Sequence, residues 1–93
     1  MADEVRDNSA RHRFELDADG HLALAYYQLS PGVITFTHTE VPKELSGKGV
    51  GSRLAAGALA QVRARGLKVV PRCPFIAGYI AKHPELQDLL VRD

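Results

Sequence analysis

The stretch Glu44-Leu-Ser-Gly-Lys-Gly-Val-Gly-Ser-Arg53 decides how the rest of the chain is interpreted. Its glycines, Gly47, Gly49 and Gly51, can adopt positive φ angles and allow a ligand to approach the backbone closely. An amphipathic segment follows, and the first N–H groups of a helix lack intrahelical partners at the positive end of its dipole. The stretch therefore predicts an anion site of the kind that holds a phosphate group. The alternative is an ordinary flexible loop between a strand and a helix.

Two common nucleotide-binding signatures do not fit this stretch. The third glycine of G-x-G-x-x-G would fall at Leu54, and no Gly-Lys-Ser/Thr sequence ends the turn as in a P-loop. Lys48 and Arg53 add positive charge nearby. The anion site is thus predicted from backbone geometry and charge.

Composition limits the possible functions. The chain has 93 residues, 45% of them apolar, a net charge of +1 and one cysteine. The balanced charge argues against bulk nucleic-acid binding, and no apolar run is long enough to span a membrane. The residues Met1–Asn8 are polar and acidic, unlike a signal peptide, and a lone cysteine fits a reducing compartment. We expect a small cytoplasmic protein without nucleic-acid or membrane partners.

The first half of the chain has the alternation of strands. Residues 1–10 show no apolar periodicity and are predicted to be a mobile tail, which leaves residues 11–93 as a single domain. Phe14 and Leu16 alternate with charged residues as in a half-buried strand. Two further strands are predicted at His21–Leu29 and Val33–Thr39. Because turn signals separate them, the three strands are predicted to form an antiparallel meander.

The second half has helical spacing. Apolar residues recur every four positions from Val50, and Gly66 ends this helix where a left-handed cap is expected. The segment 67–70 is predicted to be a fourth strand, parallel to the third because a helix connects them. Pro74 suits the first position of a second helix. The His83-Pro84 step disfavours the helical conformation and is therefore predicted to end that helix. One or two helical turns are expected within 85–91.

This order of elements resembles the acetyl-CoA-binding half of the GNAT superfamily of N-acetyltransferases. Its motif is Gln/Arg-x-x-Gly-x-Gly/Ala, and Gly49 and Gly51 match the two small positions. Ser46 stands where Gln or Arg is expected, which removes one long donor and leaves the backbone donors. The resemblance implies an α+β fold of the GNAT type: a meander, then a helix, a parallel strand and a second helix.

A narrower resemblance covers His38 to Leu86. The sequences His38-Thr-Glu-Val-Pro42, Gly-Lys-Gly-Val-Gly and Val69-Val-Pro-Arg-Cys-Pro-Phe75, followed by Tyr79 and His83-Pro84, resemble a small GNAT-like family of about one hundred residues. That resemblance implies a minimal acetyltransferase that uses acetyl-CoA. The acceptor would be an amine on a small molecule or a protein, and the chain would be a monomer or weak dimer.

The resemblance also implies where coenzyme A lies. The pantetheine arm would follow the third strand, the pyrophosphate would sit on the glycine-rich turn, and the sulfur would point toward Cys73. Cofactor contacts are accordingly expected from Glu40, Val41, Pro42, Gly47, Lys48, Gly49, Val50, Gly51, Ser52, Arg53 and Cys73. His12, His21 and His83 do not have a metal-ligand spacing with Cys73 or with each other, so we expect no zinc site.

Four residues are candidates for catalysis. Cys73 precedes Pro74 at the start of a helix, where the dipole favours a thiolate. It could form an acetyl-cysteine intermediate, or it could be a small buried residue in a helix cap. His38 and Glu40 share one face of a strand if pairing is regular, so they could remove the amine proton together. Tyr79 matches the place where many GNAT enzymes keep a tyrosine as general acid.

Each of these residues also has a structural interpretation. His38 could bond only to backbone or water, Glu40 could be a solvated edge charge, and Tyr79 could pack on the sheet. A loose basic group of Lys68, Arg72 and Lys82 could contact the adenosine phosphate or simply face solvent. At the level of function, the leading prediction is an N-acetyltransferase. The alternatives are a non-catalytic coenzyme A or acyl-CoA binding module and a protein-interaction domain.

Overall fold

A computed structural model of the protein describes residues 5–45 and 47–91. Five strands form one sheet in the order β1-β2-β3-β4-β5. Their bounds are β1 Arg6–Asn8, β2 Arg13–Ala18, β3 His21–Ser30, β4 Val33–Glu40 and β5 Lys68–Pro71. Helix α1, Val50–Ala64, joins β4 to β5, and helix α2, Pro74–Ala81, follows β5. Single 3-10 segments occupy Ser9–Arg11, Lys43–Leu45 and Pro84–Leu89.

The predicted α+β architecture is confirmed. The strands β1 to β4 pair antiparallel in sequence order, and β5 pairs parallel with β4. The turn between β2 and β3 has positive φ at both Asp19 (51°) and Gly20 (77°), as a tight hairpin requires. Gly32, with φ of 73°, lies in the turn between β3 and β4. Local turn chemistry therefore specifies the meander.

The hydrophobic core lies between one face of the sheet and the two helices. Alternate residues of the central strands are fully buried on this face, including Phe14, Ala25 and Phe36. Helix α1 contributes Leu54, Ala58, Val62 and their neighbours, and α2 contributes Ile76 and Ile80 to the same core. The opposite face of the sheet, which we call the open face, carries Arg13, Leu24, Tyr26, His38 and Glu40. Both helices thus pack against the same face of the sheet.

A bulge in β4 changes which residues meet the core. Tyr27 pairs with Phe36, but Tyr26 pairs with His38, so Thr37 has no opposite residue on β3. Thr39 pairs with the fully buried Ala25 and therefore lies on the core side. His38 and Glu40 consequently lie on the open face.

The mobile tail predicted for residues 1–10 is corrected by the structure for residues 5–10. Residues Arg6–Asn8 form strand β1, which pairs with β2. Val5 packs into the core over Gly57, and its carbonyl accepts a hydrogen bond from Gln61 Nε2 at 2.6 Å. These are tertiary contacts with α1, so no periodicity within the segment could reveal them. Residues 1–4 lie outside the described residues.

A buried hydrogen bond also holds β1 to the sheet. The Tyr27 hydroxyl donates to Asp7 Oδ1, and Arg65 Nη1 lies 2.7 Å from Asp7 Oδ2. Burial, and then the hydrogen bond to Asp7, raise the pKa of Tyr27 to about 12. Strand β1 is therefore tied to both β3 and α1.

The helix ends agree with the predicted signals. After α1, Leu67 N–H donates to Val62 O and Gly66 N–H to Arg63 O, with Gly66 at a φ of 70°. This is the left-handed cap expected at Gly66. Pro74 is the first residue of α2, as predicted. Within residues 5–45 and 47–91, neither helix has the length and apolar character that crossing a membrane would demand.

Candidate active site

The glycine-rich turn leads directly into α1. After β4, a 3-10 segment ends at Leu45, whose buried side chain anchors the chain before the turn. Gly47 and Gly49 both have positive φ, 81° and 72°. Because Gly49 is the N-cap residue and has no side chain, it provides no side-chain acceptor for the first N–H groups of α1. The turn therefore presents helix N–H groups at the positive end of the dipole.

A cleft lies in front of these N–H groups. It has a volume of about 250 Å³. We call it the turn cleft, and it is lined by Val41, Leu45, Gly47, Gly49, Val50, Gly51, Ser52 and Phe75. A Cβ on Gly51 would lie 2.7 Å from Phe75 Cζ, so the glycine allows the phenyl ring to sit against the helix start. Six of the predicted cofactor contacts, Val41, Gly47, Gly49, Val50, Gly51 and Ser52, line this one cleft.

Lys48, predicted to add positive charge at the anion site, forms an ion pair with the β2–β3 hairpin. Its Nζ lies 2.9 Å from Asp19 Oδ2, at the tip of the β2–β3 hairpin. The hydrogen bond from Lys48 holds the pKa of Asp19 below its usual range, and the charges of Lys48 and Arg53 act in the same direction. The hairpin tip therefore brings a carboxylate close to the glycine-rich turn. Ser46, where the motif expects Gln or Arg, lies outside the described residues.

Strands β4 and β5 part beside the turn cleft. Their paired register ends at Phe36 and Pro71, and the N–H groups of Arg72 and Cys73 both donate to Phe36 O at 3.0 Å. Beyond this point the register pairs the residues of β4 with β3 alone, up to Glu40. A gap thus opens along the edge of β4 toward Val41 and the turn.

Cys73 lies at the inner end of this gap. It is the N-cap residue of α2 and is 3% exposed. Its Sγ is 3.0 Å from Thr39 Oγ1, so the thiol and the hydroxyl form a hydrogen bond across the gap. Thr39 was not among the predicted site residues. Its position follows from the bulge, which directs it toward the core side.

His38 and Glu40 form a pair, as predicted. His38 Nε2 lies 3.1 Å from Glu40 Oε2, and the Tyr26 ring stacks on His38 with centroids 6.2 Å apart. Their side chains are 60% and 57% exposed. The pair lies on the open face, whereas Thr39 and Cys73 face the core side. The predicted catalytic residues His38 and Glu40 therefore lie on the opposite side of β4 from Cys73.

Tyr79 lies in a second cleft. Its ring stacks on His83, with centroids 4.1 Å apart and an angle of 27° between planes. This cleft, of about 270 Å³, lies between the start of α1 and α2. We call it the helix cleft, and it is lined by Ser52, Pro74, Phe75, Gly78, Tyr79, Lys82 and His83. Cys73 does not line this cleft, and the ring that stacks on Tyr79 is that of His83.

The predicted basic group does not form one cluster. Lys68 Nζ donates to Asp88 O at 2.9 Å, near the end of the chain. Arg72 is bonded through its backbone N–H at the end of β5. Lys82 lines the cleft between the start of α1 and α2.

Comparison with known proteins agrees with this geometry. A family model described as GCN5-related N-acetyl-transferase matches residues 13–89. The chain belongs to the GCN5-related N-acetyltransferase family. The resemblance predicted from the sequence is thereby confirmed. The matched region runs from β2 to the final 3-10 segment and so contains the glycine-rich turn, the parted strands and both clefts.

Two curated proteins and one solved structure match this chain at 26–29% identity. Protein NATD1 of Gallus gallus is 29% identical over 84 residues, covering 87% of this chain and 76% of the chicken protein. Protein NATD1 of Homo sapiens is 29% identical over 83 residues, covering 86% of this chain and 74% of the human protein. The solution structure of a GCN5-like protein from Staphylococcus aureus matches with a TM-score of 0.73 at 26% identity. That match covers 98% of this chain and 90% of the other.

Proposed function

We propose that the protein transfers an acetyl group from acetyl-CoA to an amine. The proposal is carried by one observation: β5 stops pairing with β4 after Phe36, and Val41, just after β4, lines a cleft at the start of α1. A long ligand with a phosphate at one position and a thioester at its end would lie along this edge of β4. Acetyl-CoA would supply an acetyl group already activated for transfer.

The turn cleft is suited to the pyrophosphate. The first N–H groups of α1, from Val50 to Ser52, have no carbonyl four residues earlier within the helix to which they can donate. Together with the helix dipole they favour an anion. Added Cβ atoms on Gly47 and Gly49 would meet no atom within 4 Å, so the space above both glycines is open. These features support pyrophosphate binding by residues 47–52.

The edge of β4 would hold the pantetheine arm and orient the thioester. Backbone groups of Glu40, Val41 and Pro42 would border the ligand. Pro42 has no N–H, and its carbonyl already accepts from Leu45 N–H at 2.9 Å, so Glu40 and Val41 would make the main contacts. The thioester carbonyl would be polarised by backbone N–H groups of this edge. Thr39 and Cys73 would lie at the reacting end. Positioning of this kind can supply much of the rate for an activated donor.

His38 and Glu40 would remove the proton from the amine. The imidazole Nε2 is already hydrogen bonded to the carboxylate, which would stabilise the imidazolium formed by proton uptake. Because the pair is exposed on the open face, an amine on a small molecule or a protein could reach it from solvent. The neutral amine nitrogen would then attack the carbonyl carbon, and the C–S bond would break. The proton that the nitrogen loses in this step would pass to the leaving thiolate, so that coenzyme A leaves as its thiol.

A route through Cys73 is the variant of this mechanism. The Cys73 sulfur would attack the acetyl carbon and lose its proton, and the thioester bond would break with release of coenzyme A as the thiol. An amine would then take the acetyl group and restore the Cys73 thiol. Intact-mass spectrometry after rapid quenching would detect one added acetyl group, which Cys73→Ala would lack. An unmodified wild-type mass during turnover would leave direct transfer as the mechanism.

A non-catalytic coenzyme A binding module is the second candidate. It is favoured by the separation of His38 and Glu40 from Thr39 and Cys73 on opposite sides of β4. Thiol release from acetyl-CoA across a panel of amines distinguishes the two functions. Catalysis predicts amine-dependent release that His38→Ala slows and Gln28→Ala, an exposed change elsewhere on the same face, does not.

An NMR titration with acetyl-CoA tests the cofactor site directly. The amides of Gly47, Gly49 and Gly51 should shift, whereas that of Gly32 in the β3–β4 turn should not. Calorimetry with coenzyme A tests the same site by measuring the heat of binding. An absence of binding at millimolar ligand would reject both the transferase and the binding module.

A further inference from the structure

A buried ion pair lies on the open face of the sheet. Glu15 pairs with Arg6 on β1 and Leu24 on β3, and it is 7% exposed. Its carboxylate accepts hydrogen bonds from Arg13 Nε at 2.6 Å and from Asn8 Nδ2 at 3.0 Å. A buried ion pair is often no more stabilising than apolar side chains of similar volume. What this pair does provide is a fixed orientation of the Arg13 guanidinium.

Arg13 in turn holds the side chain of Tyr26. The guanidinium is planar, so a bond from Nε to Glu15 also sets the direction of the other N–H donors. Nη1 donates to the Tyr26 hydroxyl at 3.1 Å, and the guanidinium carbon lies 5.7 Å from the centre of the Tyr26 ring. Arg13 and Tyr26 also lie directly opposite each other on β2 and β3. The phenol is therefore fixed both by its strand and at its hydroxyl.

Tyr26 also contacts the imidazole of His38. The two residues pair across β3 and β4, and their rings stack with centroids 6.2 Å apart and 23° between planes. Within residues 5–45 and 47–91, the ring and hydrogen-bond contacts of the His38 side chain are this stack and the 3.1 Å contact with Glu40. Because the His38 side chain is 60% exposed, the Tyr26 ring is the contact that limits its rotation.

We propose that Tyr26 is a positioning residue: it keeps the imidazole of His38 turned so that Nε2 faces Glu40 and Nδ1 is left for the acceptor amine. Arg13 and Glu15 hold the phenol in the place that this requires. When Nε2–H donates to the carboxylate, the lone pair of the neutral ring is on Nδ1. Nδ1 then takes one proton from the ammonium group of the acceptor, which leaves a neutral amine and an imidazolium. This role rests on the function proposed above, and in it Tyr26 acts through His38.

NMR tests the orientation of His38 without any ligand. Three-bond couplings across the Cα–Cβ bond report whether a side chain keeps one staggered rotamer or averages over several. His38 should keep one rotamer in the wild type and average in Tyr26→Leu, which lacks the ring. Tyr26→Phe keeps the ring and loses only the bond to Arg13, so its couplings should lie between the two. Gln28→Ala, an exposed change on the same face of β3, is the matched control and should leave the couplings unchanged.

Thiol release from acetyl-CoA in the presence of an amine tests the catalytic consequence. Tyr26→Leu should lower kcat about two- to tenfold, as expected for the loss of one aromatic contact, and leave KM for acetyl-CoA unchanged. Tyr26→Phe should recover part of this loss. In a His38→Ala background Tyr26→Leu should have no further effect, because the residue acts through the imidazole.

The possible results separate this inference from the proposed function. If the wild type releases no thiol with any amine, the proposed transferase is wrong, and the couplings alone then support or overturn the positioning of His38. If His38 keeps one rotamer in Tyr26→Leu, this inference is wrong and the proposed function stands. An equal loss of kcat from Tyr26→Leu in the wild type and in His38→Ala would likewise overturn it. Circular dichroism checks that each variant is folded, and Tyr26→Phe provides both measurements if Tyr26→Leu is not.

Discussion

Replacing Gly57 by alanine tests whether the segment before β1 is part of the folded domain. The new methyl group would lie 2.3 Å from Val5 Cγ2 and 2.6 Å from Val5 Cβ, so Val5 would have to leave its place. Exposing a buried valine costs about 1.5–3 kcal/mol. Replacing glycine by alanine inside a helix stabilises the folded protein by about 1 kcal/mol. We therefore expect Gly57→Ala to lower the free energy of unfolding by about 0.5–2 kcal/mol.

The sign of this effect should reverse when the side chain of residue 5 is removed. In a Val5→Gly background the methyl group meets no valine, so Gly57→Ala should raise the free energy of unfolding by about 1 kcal/mol. Urea unfolding followed by circular dichroism measures all four proteins. Gly78→Ala is the matched control, because its methyl group meets no atom within 4 Å, and it should stabilise both backgrounds equally.

The double-mutant comparison can refute the reasoning. If Gly57→Ala stabilises the wild type and the Val5→Gly protein by the same amount, the two residues are not in contact. Residues 5–8 would then not be held against α1, and the prediction from the sequence that they belong to a mobile tail would be correct. A change in the slope of the denaturation curve would instead indicate an altered denatured state.

Three further predictions concern individual charges. Between pH 10 and 12 the wild type should lose up to about 3 kcal/mol more stability than Tyr27→Phe, since the unfolded tyrosine ionises near 10.0 and the folded one near 12. Hydrogen bonds, first from Arg13, hold the pKa of Glu15 below its usual 4.5, so its stabilising contribution is present above that pH and is lost in acid. Unfolding of wild type and Glu15→Gln in urea below about pH 5 measures that loss. Asp19→Asn should release Lys48 and tighten coenzyme A binding about two- to fivefold in calorimetry, less at high salt.

Each of these predictions has a contrary result. Equal alkaline losses in wild type and Tyr27→Phe would mean that this hydroxyl keeps an ordinary pKa. Equal acid sensitivity of wild type and Glu15→Gln would assign acid unfolding to other carboxylates. Unchanged or weaker binding by Asp19→Asn would show that Lys48 does not reach the ligand.

The sequence predicted those parts of the fold that local chemistry determines. Gly66 needs a left-handed conformation and Pro74 fits only the first turn of a helix, so the ends of α1 and the start of α2 could be predicted from single residues. The glycines of the turn likewise line the predicted cleft. Strand β1 was missed because it is three residues long and is held by contacts with β3 and α1.

The arrangement of the candidate site was less predictable. His38 and Glu40 do share a face, as their spacing indicates. Which face they share depends on the bulge, and no residue type near Thr37 signals one. The neighbour of Cys73 is Thr39, from a strand 34 positions away in the sequence, so this contact also follows from tertiary structure. The stacking of Tyr79 on His83 was not predicted from the sequence either.

The extra residue at Thr37 determines which residues of β4 after Phe36 face the core and which face the open side of the sheet. Counting from Phe36, positions at even distance would point inward in an unbroken strand, and His38 and Glu40 would then replace Thr39 beside Cys73. Because of this one extra residue, the hydroxyl of Thr39 lies beside Cys73, where the side chains of His38 and Glu40 would otherwise lie. Among relatives, a gain or loss of one residue between Phe36 and Thr39 would alter the chemistry of the site while leaving every named side chain in the sequence.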